Sequence, residues 1–456
     1  MGTVTSRSRL LAAGVLLAAM LPSHAWAQEA DGPYDENCII CRTKRRLHES
    51  ITWLRLGADL RLRLYYNNNL KLSKDDRSGE QFWQRHRARV WAKATPLKNL
   101  EFNIRLMGEP RYWCKPDSND SLTHCEAFID QLNVKWSRAF GLPLTLAVGR
   151  QDFKFGEGWL IRDGVPLDGG RSTFFDAARA TLSLKDIQTT FDLIYVHNHA
   201  DSAWFHRPFN DQDLDFAEHD EQGAIFYVSN TSLKGHTLDG YFIYKHDERR
   251  AAGGWNADIY TFGLRAKGAI DKSWKYRAEL APQFGHKNGT NLCALGFNGE
   301  MACHFHDSWK NMVRVQYEYR SGHPDSQNGA FDILWGRWYQ GSNLWHLYLS
   351  KLETVMGAPS NYHRVAFGWG CNPTRKWTFN VDYHLLFRDE NPLRGTAGFS
   401  SDGCFRGQLI TVLLDYEHNE HIRSHLMFDV FFPGDYYSDL RNDVAIYSKY
   451  QIVFTW

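Results

Sequence analysis

The stretch Leu54-Arg55-Leu56-Gly57-Ala58-Asp59-Leu60-Arg61-Leu62-Arg63-Leu64-Tyr65 decides the fold. Leu54, Leu56, Ala58, Leu60, Leu62 and Leu64 are apolar. The interleaved positions carry Arg55, Asp59, Arg61 and Arg63. A period of two places the leucines on one face of an extended chain and the arginines on the other, whereas a helix would scatter both sets around its axis. The same rhythm recurs downstream. His86, Ala88, Val90, Ala92 and Ala94 alternate with Arg85, Arg87, Arg89, Trp91 and Lys93. Trp377, Phe379, Val381, Tyr383 and Leu385 alternate with Thr378, Asn380, Asp382 and His384.

A soluble sandwich also alternates, but two features point to a membrane. Many of the runs are about ten residues long, as a tilted membrane-spanning strand requires. Aromatic residues (17 Trp, 21 Tyr and 28 Phe) gather near the ends of the apolar faces, as in interfacial girdles. The expected fold is therefore all-β: a single transmembrane antiparallel β-barrel with lipid-facing apolar residues and a watery lumen. Helical spans are not expected, because they need roughly 18 apolar residues in a row and the best run ends at Leu21. That run, Leu10–Leu21, follows Arg7 and Arg9 and precedes Ala25-Trp26-Ala27, which reads as a cleaved signal peptide over 1–27. Residues 28–50 then form an N-terminal periplasmic segment, and 51–456 the barrel in the outer membrane.

The punctuation gives eighteen strands: 53–66, 83–95, 99–109, 126–136, 143–151, 175–184, 187–196, 222–231, 236–246, 256–268, 274–285, 308–320, 343–353, 361–370, 376–387, 407–417, 423–432 and 447–456. Short connections alternate with long ones such as 67–82, 110–125, 152–174, 197–221 and 286–307. Short periplasmic turns and long extracellular loops produce that alternation. The last strand ends Tyr450, Ile452, Phe454, Trp456, the kind of aromatic-ended strand that barrel-assembly machinery reads. One connection breaks the rhythm. By parity 321–342 should be a short periplasmic turn, yet it is long and carries Phe331, Leu334, Trp335, Trp338 and Tyr339. It is expected to fold into the periplasmic mouth as a plug or gate, with Arg337 near the pore.

Lys+Arg (53) and Asp+Glu (52) balance over the chain, which argues against nucleic acid as a partner. The balance hides sorting. The inward faces collect Arg61, Arg63, Arg85, Arg87, Arg89, Arg105, Arg179, Arg314, Arg364 and Arg423, with fewer acids such as Asp59, Glu109, Glu318 and Asp382. Acids crowd the connection around Asp211, Asp213 and Asp215. Such a lumen is expected to select anions. Arginines that only brace the wall against carboxylates are the alternative. The eight cysteines suit an oxidising compartment, with Cys38/Cys41, Cys114/Cys125 and Cys293/Cys303 as close pairs for structural disulfides. Cys371 and Cys404 are expected at opposite ends of the barrel, unable to bond.

Gly149-Arg150-Gln151 before a long loop, Gly407-Gln408-Leu409, Phe431-Phe432-Pro433-Gly434-Asp435-Tyr436 and Gly57-Ala58-Asp59-Leu60-Arg61 occur in an order and spacing that resembles the alginate export family of eighteen-stranded outer-membrane porins. The resemblance spans most of the mature chain. It implies passive passage of an anionic, uronate-rich polysaccharide through an arginine-lined constriction, with Arg61 and Arg150 at the family's basic positions. Asp152 after the GRQ motif, and His425 with Arg423 ahead of the PGD motif, depart from the family's pattern. An uptake porin for small anionic sugars or solutes is the nearest alternative. An outer-membrane enzyme is a weaker one, since no Gly-x-Ser-x-Gly elbow occurs and no phosphate loop lies in a strand–helix context. His418, His421 and His425 have metal-like spacing but fall on a turn and a strand start, so neither metal nor cofactor is expected. A TonB-type receptor would need a folded plug domain, for which 28–50 is too short.

Overall fold

The computed structural model describes residues 39–73, 79–116, 121–163, 174–201, 208–209, 219–250, 254–336, 342–353 and 359–456. Eighteen antiparallel strands close into one barrel. In chain order they are β1 Leu54–Asn68, β2 in two runs (Gln81–Arg85 and Arg87–Leu97), β3 Leu100–Gly108, β4 Ala127–Trp136, β5 Leu144–Gln151, β6 Phe175–Leu184, β7 Thr189–Asn198, β8 His219–Asn230, β9 His236–Arg249, β10 Ala257–Ala269, β11 Trp274–Lys287, β12 Thr290–His304, β13 Met312–Arg320, β14 Tyr362–Cys371, β15 Trp377–Arg388, β16 Phe405–Asn419, β17 Ile422–Pro433 and β18 Ala445–Thr455. The seam between β18 and β1 runs from Asp59 opposite Thr455 to Asn68 opposite Ile446, so no edge is left unpaired. A helix, α1 (Ile39–Ser50), precedes β1 at the rim of the short turns. Both described chain ends lie at that rim.

Alternation does what the sequence requires. Val148, Leu193 and Leu264 are 60–70% exposed on the outer surface, while their strand neighbours turn inward. Outward rings pair across strands, Phe242 with Phe262 and Tyr244 with Tyr260, each at 5.0 Å between centroids. Trp53, Trp136, Trp274, Trp309 and Trp377 mark the short-turn rim, where an aromatic belt meets the interface.

Three expectations need correction. The segment 343–353 is not a strand, because Leu344–Tyr348 and Leu349–Leu352 form helical turns. A strand is instead present at Thr290–His304, within the connection expected at 286–307, and hairpins tightly with β11. The two errors cancel in the count but not in parity. The connection 321–361 therefore leaves the barrel at the rim of the long loops, not at the short-turn rim where a periplasmic plug was expected. It does fold inward.

The cysteines also differ. Cys293 and Cys303 share the single strand β12. Ten residues of strand span about 33 Å, far beyond the roughly 7 Å between Cα atoms that a disulfide allows. Among the described residues Cys41, Cys114, Cys125, Cys371 and Cys404 form no disulfide. Cys38 lies outside the described residues, as do 1–27, Arg337, Trp338, Tyr339 and the acidic positions 211–218.

Candidate functional site

The lumen wall formed by β1 and β2 is unusual. Arg61 stands opposite Arg87, and Asp59 opposite Arg89, in the ladder. Like charges directly opposed destabilise a sheet pair, so the arrangement needs counter-charges. Glu109, just after β3, supplies one: it takes Arg61 at 2.7 Å and Arg85 at 2.6 Å, with Arg111 at 3.8 Å. Asp59 supplies the other, accepting from Arg89 Nε at 2.9 Å and lying 3.3 Å from Arg87. Arg63 donates to neutral partners, Gln451 at 2.7 Å and the Tyr65 hydroxyl at 2.8 Å. Arg61, Arg85 and Arg111 thus converge on Glu109, and Arg87 and Arg89 on Asp59.

Elsewhere the arginines are matched more evenly. Arg105 binds Asp130 and Asp152, each at 2.8 Å. Arg179 meets Asp192 at 2.8 Å, and Arg314 meets Asp382 at 2.9 Å. Arg364 and Arg320 share Glu318 at 3.2 and 3.0 Å. Here the wall-bracing alternative describes the geometry. Arg423 and His425 face the lumen low on β17, with His425 3.9 Å from Asp415. Arg150, 4% exposed near the upper end of β5, follows Gly149 at φ 115. It stands opposite Asp176 in the ladder, clamps it at 2.8 Å, donates to Ile129 O at 2.9 Å and stacks on Phe174 at 3.8 Å.

Two long loops fill the upper lumen. The β5–β6 connection brings Phe153, Phe155, Trp159, Leu160 and Ile161 inward, and 321–361 adds Phe331, Leu334 and Trp335. They join by a bridge between Ile161 and Trp335, and Trp159 stacks on Phe331 at 5.4 Å. This core sits against inward apolar residues of β6–β12, such as Val196, Ile225, Ile243 and Ile259. Polar anchors hold it. Trp159 Nε1 donates to Glu318 at 2.9 Å and Trp335 Nε1 to Glu221 at 3.0 Å. Asp332 receives Lys287 at 2.7 Å, and exchanges two backbone bonds of 2.8 Å with the Gln283 amide. Farther along, Leu344, Trp345 and Leu349 enter a second core with Leu386, Phe431 and Tyr447 on the opposite wall. Asp429 accepts there from Ser342 Oγ and Leu344 N at 3.0 Å, and Arg406 pairs with Glu353. One connection is therefore anchored on both sides of the bore.

Burial and charge set the ionisation of the loop groups. Burial pushes the Asp152 carboxyl up to about 6 against the pull of Arg105. Burial would also raise Asp332, but Lys287 and Lys245 outweigh it and hold the group at about 2. Burial lowers His346 to about 3, so its imidazole is neutral at pH 7.

The family model for alginate export matches residues 52–451. The chain belongs to the alginate export family. Known structures repeat its architecture at low identity. Pseudomonas aeruginosa OccK9 (OpdG) aligns with a TM-score of 0.58 and 9% identity, over 89% of this chain and 98% of that one. Acinetobacter baumannii OccAB2 gives 0.56 and 10%, over 88% and 98%. P. aeruginosa OccK5 (OpdH) gives 0.53 and 12%, over 88% and 97%. No curated protein sequence matches the chain. This alginate export family member is an outer-membrane, porin-type barrel.

Sequence reasoning missed Asp130, Glu157, Lys245, Lys287, Asp332, Glu353 and Arg406 as parts of the lumen. Lys245 does carry a strand signal: on β9 it shares a face with Tyr241 and Ile243, which lies between outward aromatics. The loop carboxylates have no local pattern, because only the inward fold of each loop brings them to the wall.

Proposed function

We propose that this family member is a passive channel for uronate-type anions, with the β1–β2 arginine wall as its selective surface. The supporting observation is the row of Arg61, Arg63, Arg85, Arg87 and Arg89 on two adjacent strands, with Arg111 beside it, gathered around Asp59 and Glu109. Directly opposed arginines such as Arg61 and Arg87 cost stability that a carboxylate-bearing cargo would offset as it passes. Arg105, Arg179, Arg314, Arg364 and Arg423 extend the basic lining. Arg150, at the upper end of β5, belongs to the same lining in this reading.

The cargo in this reading is an anionic polysaccharide of the alginate type. Passage of small sugar acids is the second reading, favoured by the connection 321–361, which is anchored on both walls and narrows the bore. The outer-membrane lipid surrounds the barrel, and the last strand is the part taken by the assembly machinery. Reversal potentials in planar bilayers under a salt gradient test selectivity, and cation preference would refute it. Oligouronates of increasing length then separate the two readings: a polymer route admits long chains as blockers that translocate, a solute route only the shortest.

A further inference from the structure

Outside the lumen, one cluster joins parts of the chain far apart in sequence. Helix α1 turns Cys41 and His48, two helical turns apart, toward the barrel, while Arg42, Arg46 and Glu49 stay exposed. His48 Nε2 accepts from Leu56 N at 3.3 Å, which fixes the helix on the start of β1. Cys41, 3% exposed, reaches the turn between β16 and β17. Its Sγ lies 2.8 Å from Glu420 Oε1 and 3.0 Å from His421 Nε2, and those two lie 3.5 Å apart.

The imidazole orientation is informative. His421 Nδ1 lies 2.9 Å from the carbonyl oxygen of Thr455. A carbonyl only accepts, so Nδ1 carries the proton, and in the neutral ring Nε2 presents a lone pair toward the sulfur. A backbone carbonyl holding one ring nitrogen while the other points at soft donors is the usual outer shell of a metal-bound histidine. The thiol, for its part, has one proton and faces two acceptors. A cation between the three donors satisfies all of them at once.

We propose that Cys41, Glu420 and His421 bind a zinc ion that clips α1 to the short-turn rim. Sulfur, imidazole nitrogen and carboxylate oxygen form a donor set that zinc takes readily, at about 2.3 Å to sulfur and about 2.0–2.2 Å to nitrogen and oxygen. Donors around such an ion stand roughly 3.3–3.6 Å apart; the present spacings of 2.8, 3.0 and 3.5 Å need only small outward shifts. Thiolate and carboxylate together match the charge of the ion, and solvent completes the tetrahedron. A second trio, His219, Glu221 and Asp247, differs because Lys245 already supplies the positive charge, 3.2 Å from Glu221 and 2.8 Å from Asp247.

The test uses the exported, detergent-purified barrel, loaded with zinc chloride and dialysed. Elemental analysis is expected to find about one zinc per chain, falling to background in Cys41→Ser and in His421→Gln, and unchanged in His306→Gln on the turn between β12 and β13. Cobalt substitution is expected to give a thiolate-to-metal charge-transfer band that Cys41→Ser removes. Heat-modifiable gel migration checks folding, and if a variant fails to fold, the cobalt band of the unaltered protein decides. No retained zinc, zinc retained equally by both variants, no cobalt band, or a Cys38–Cys41 disulfide in the exported protein would each overturn the proposal.

Discussion

Trp335→Ala is expected to open the channel without dismantling the barrel. Trp335 is fully buried, meets Phe175 edge-on at 5.8 Å, donates to Glu221, and lies 5.4 Å from Lys245 Nζ. Truncating a buried tryptophan to alanine costs about 3–5 kcal/mol. None of the barrel's ladder bonds passes through it, so the loss falls on the attachment of the inward loop. At about 1.4 kcal/mol per factor of ten, the detached population of 321–336 rises roughly a hundred- to several-thousand-fold. Gly296→Ala attacks the same core from the wall. Its added Cβ would stand 2.4 Å from Phe331 Cζ and 2.7 Å from Trp159 Cη2, side chains of the two loops rather than strand backbone. Overpacking of that kind costs about 1–3 kcal/mol, so the effect should be in the same direction and smaller. Single-channel recording in planar bilayers reads both, as higher mean conductance and more open-state noise, with folded fraction matched by gel migration. If both variants conduct as the unaltered protein does, the inward loops do not restrict the bore and the reasoning fails.

Further outcomes follow from the charged wall and the seam. Asp152 binds its proton more tightly folded than unfolded, so its contribution to stability grows as pH falls through about 6 toward the ordinary carboxylate range. Over the same window Arg105 loses a counter-charge; anion preference should be stronger at pH 5 than at pH 7.5, and Asp152→Asn should flatten that step in reversal potential. Arg61→Ala combined with Arg87→Ala should weaken block by a short oligouronate at least tenfold and make it less salt-dependent, as block kinetics at two ionic strengths would report. Lys287→Met leaves Asp332 as a buried carboxylate with only Lys245 near, a loss of about 3–5 kcal/mol to the loop; adding Asp332→Asn should recover part of it, measured as open-state noise. Deleting Trp456, whose amide donates to Ala58 O at 2.9 Å, should lower the yield of folded barrel in the membrane fraction.

The barrel was legible wherever the two faces differ in polarity. β1 and β2 alternate leucine or alanine with arginine, and their extents follow directly. β12 was not legible because its inward Leu292, Ala294 and Gly296 are as apolar as its outward Cys293, Leu295 and Phe297. The inner face there is covered by Phe331 and Trp159 rather than by water, so period two vanishes. Its one clear signal is Asn288-Gly289, both with positive φ, the turn pair favoured for a tight hairpin. The stretch Leu344–Leu352 misled in the opposite sense. Its leucines alternate loosely with polar residues, yet Leu344, Trp345 and Leu349 bury together at helical spacing. Of the candidate site, the arginine wall was readable because it lies on two adjacent regular strands.

Helix α1 is tied by a short link to the first strand, yet its buried cysteine touches the turn between the sixteenth and seventeenth. That turn lies beyond the seam, on the far side of the last strand. While the cylinder stands open, the two sides are apart and Cys41 has nothing to meet. The contact forms only once the ends of the sheet have found each other. It therefore behaves as a latch, and the accessibility of the Cys41 thiol to an alkylating reagent reports, molecule by molecule, whether a newly inserted barrel has shut.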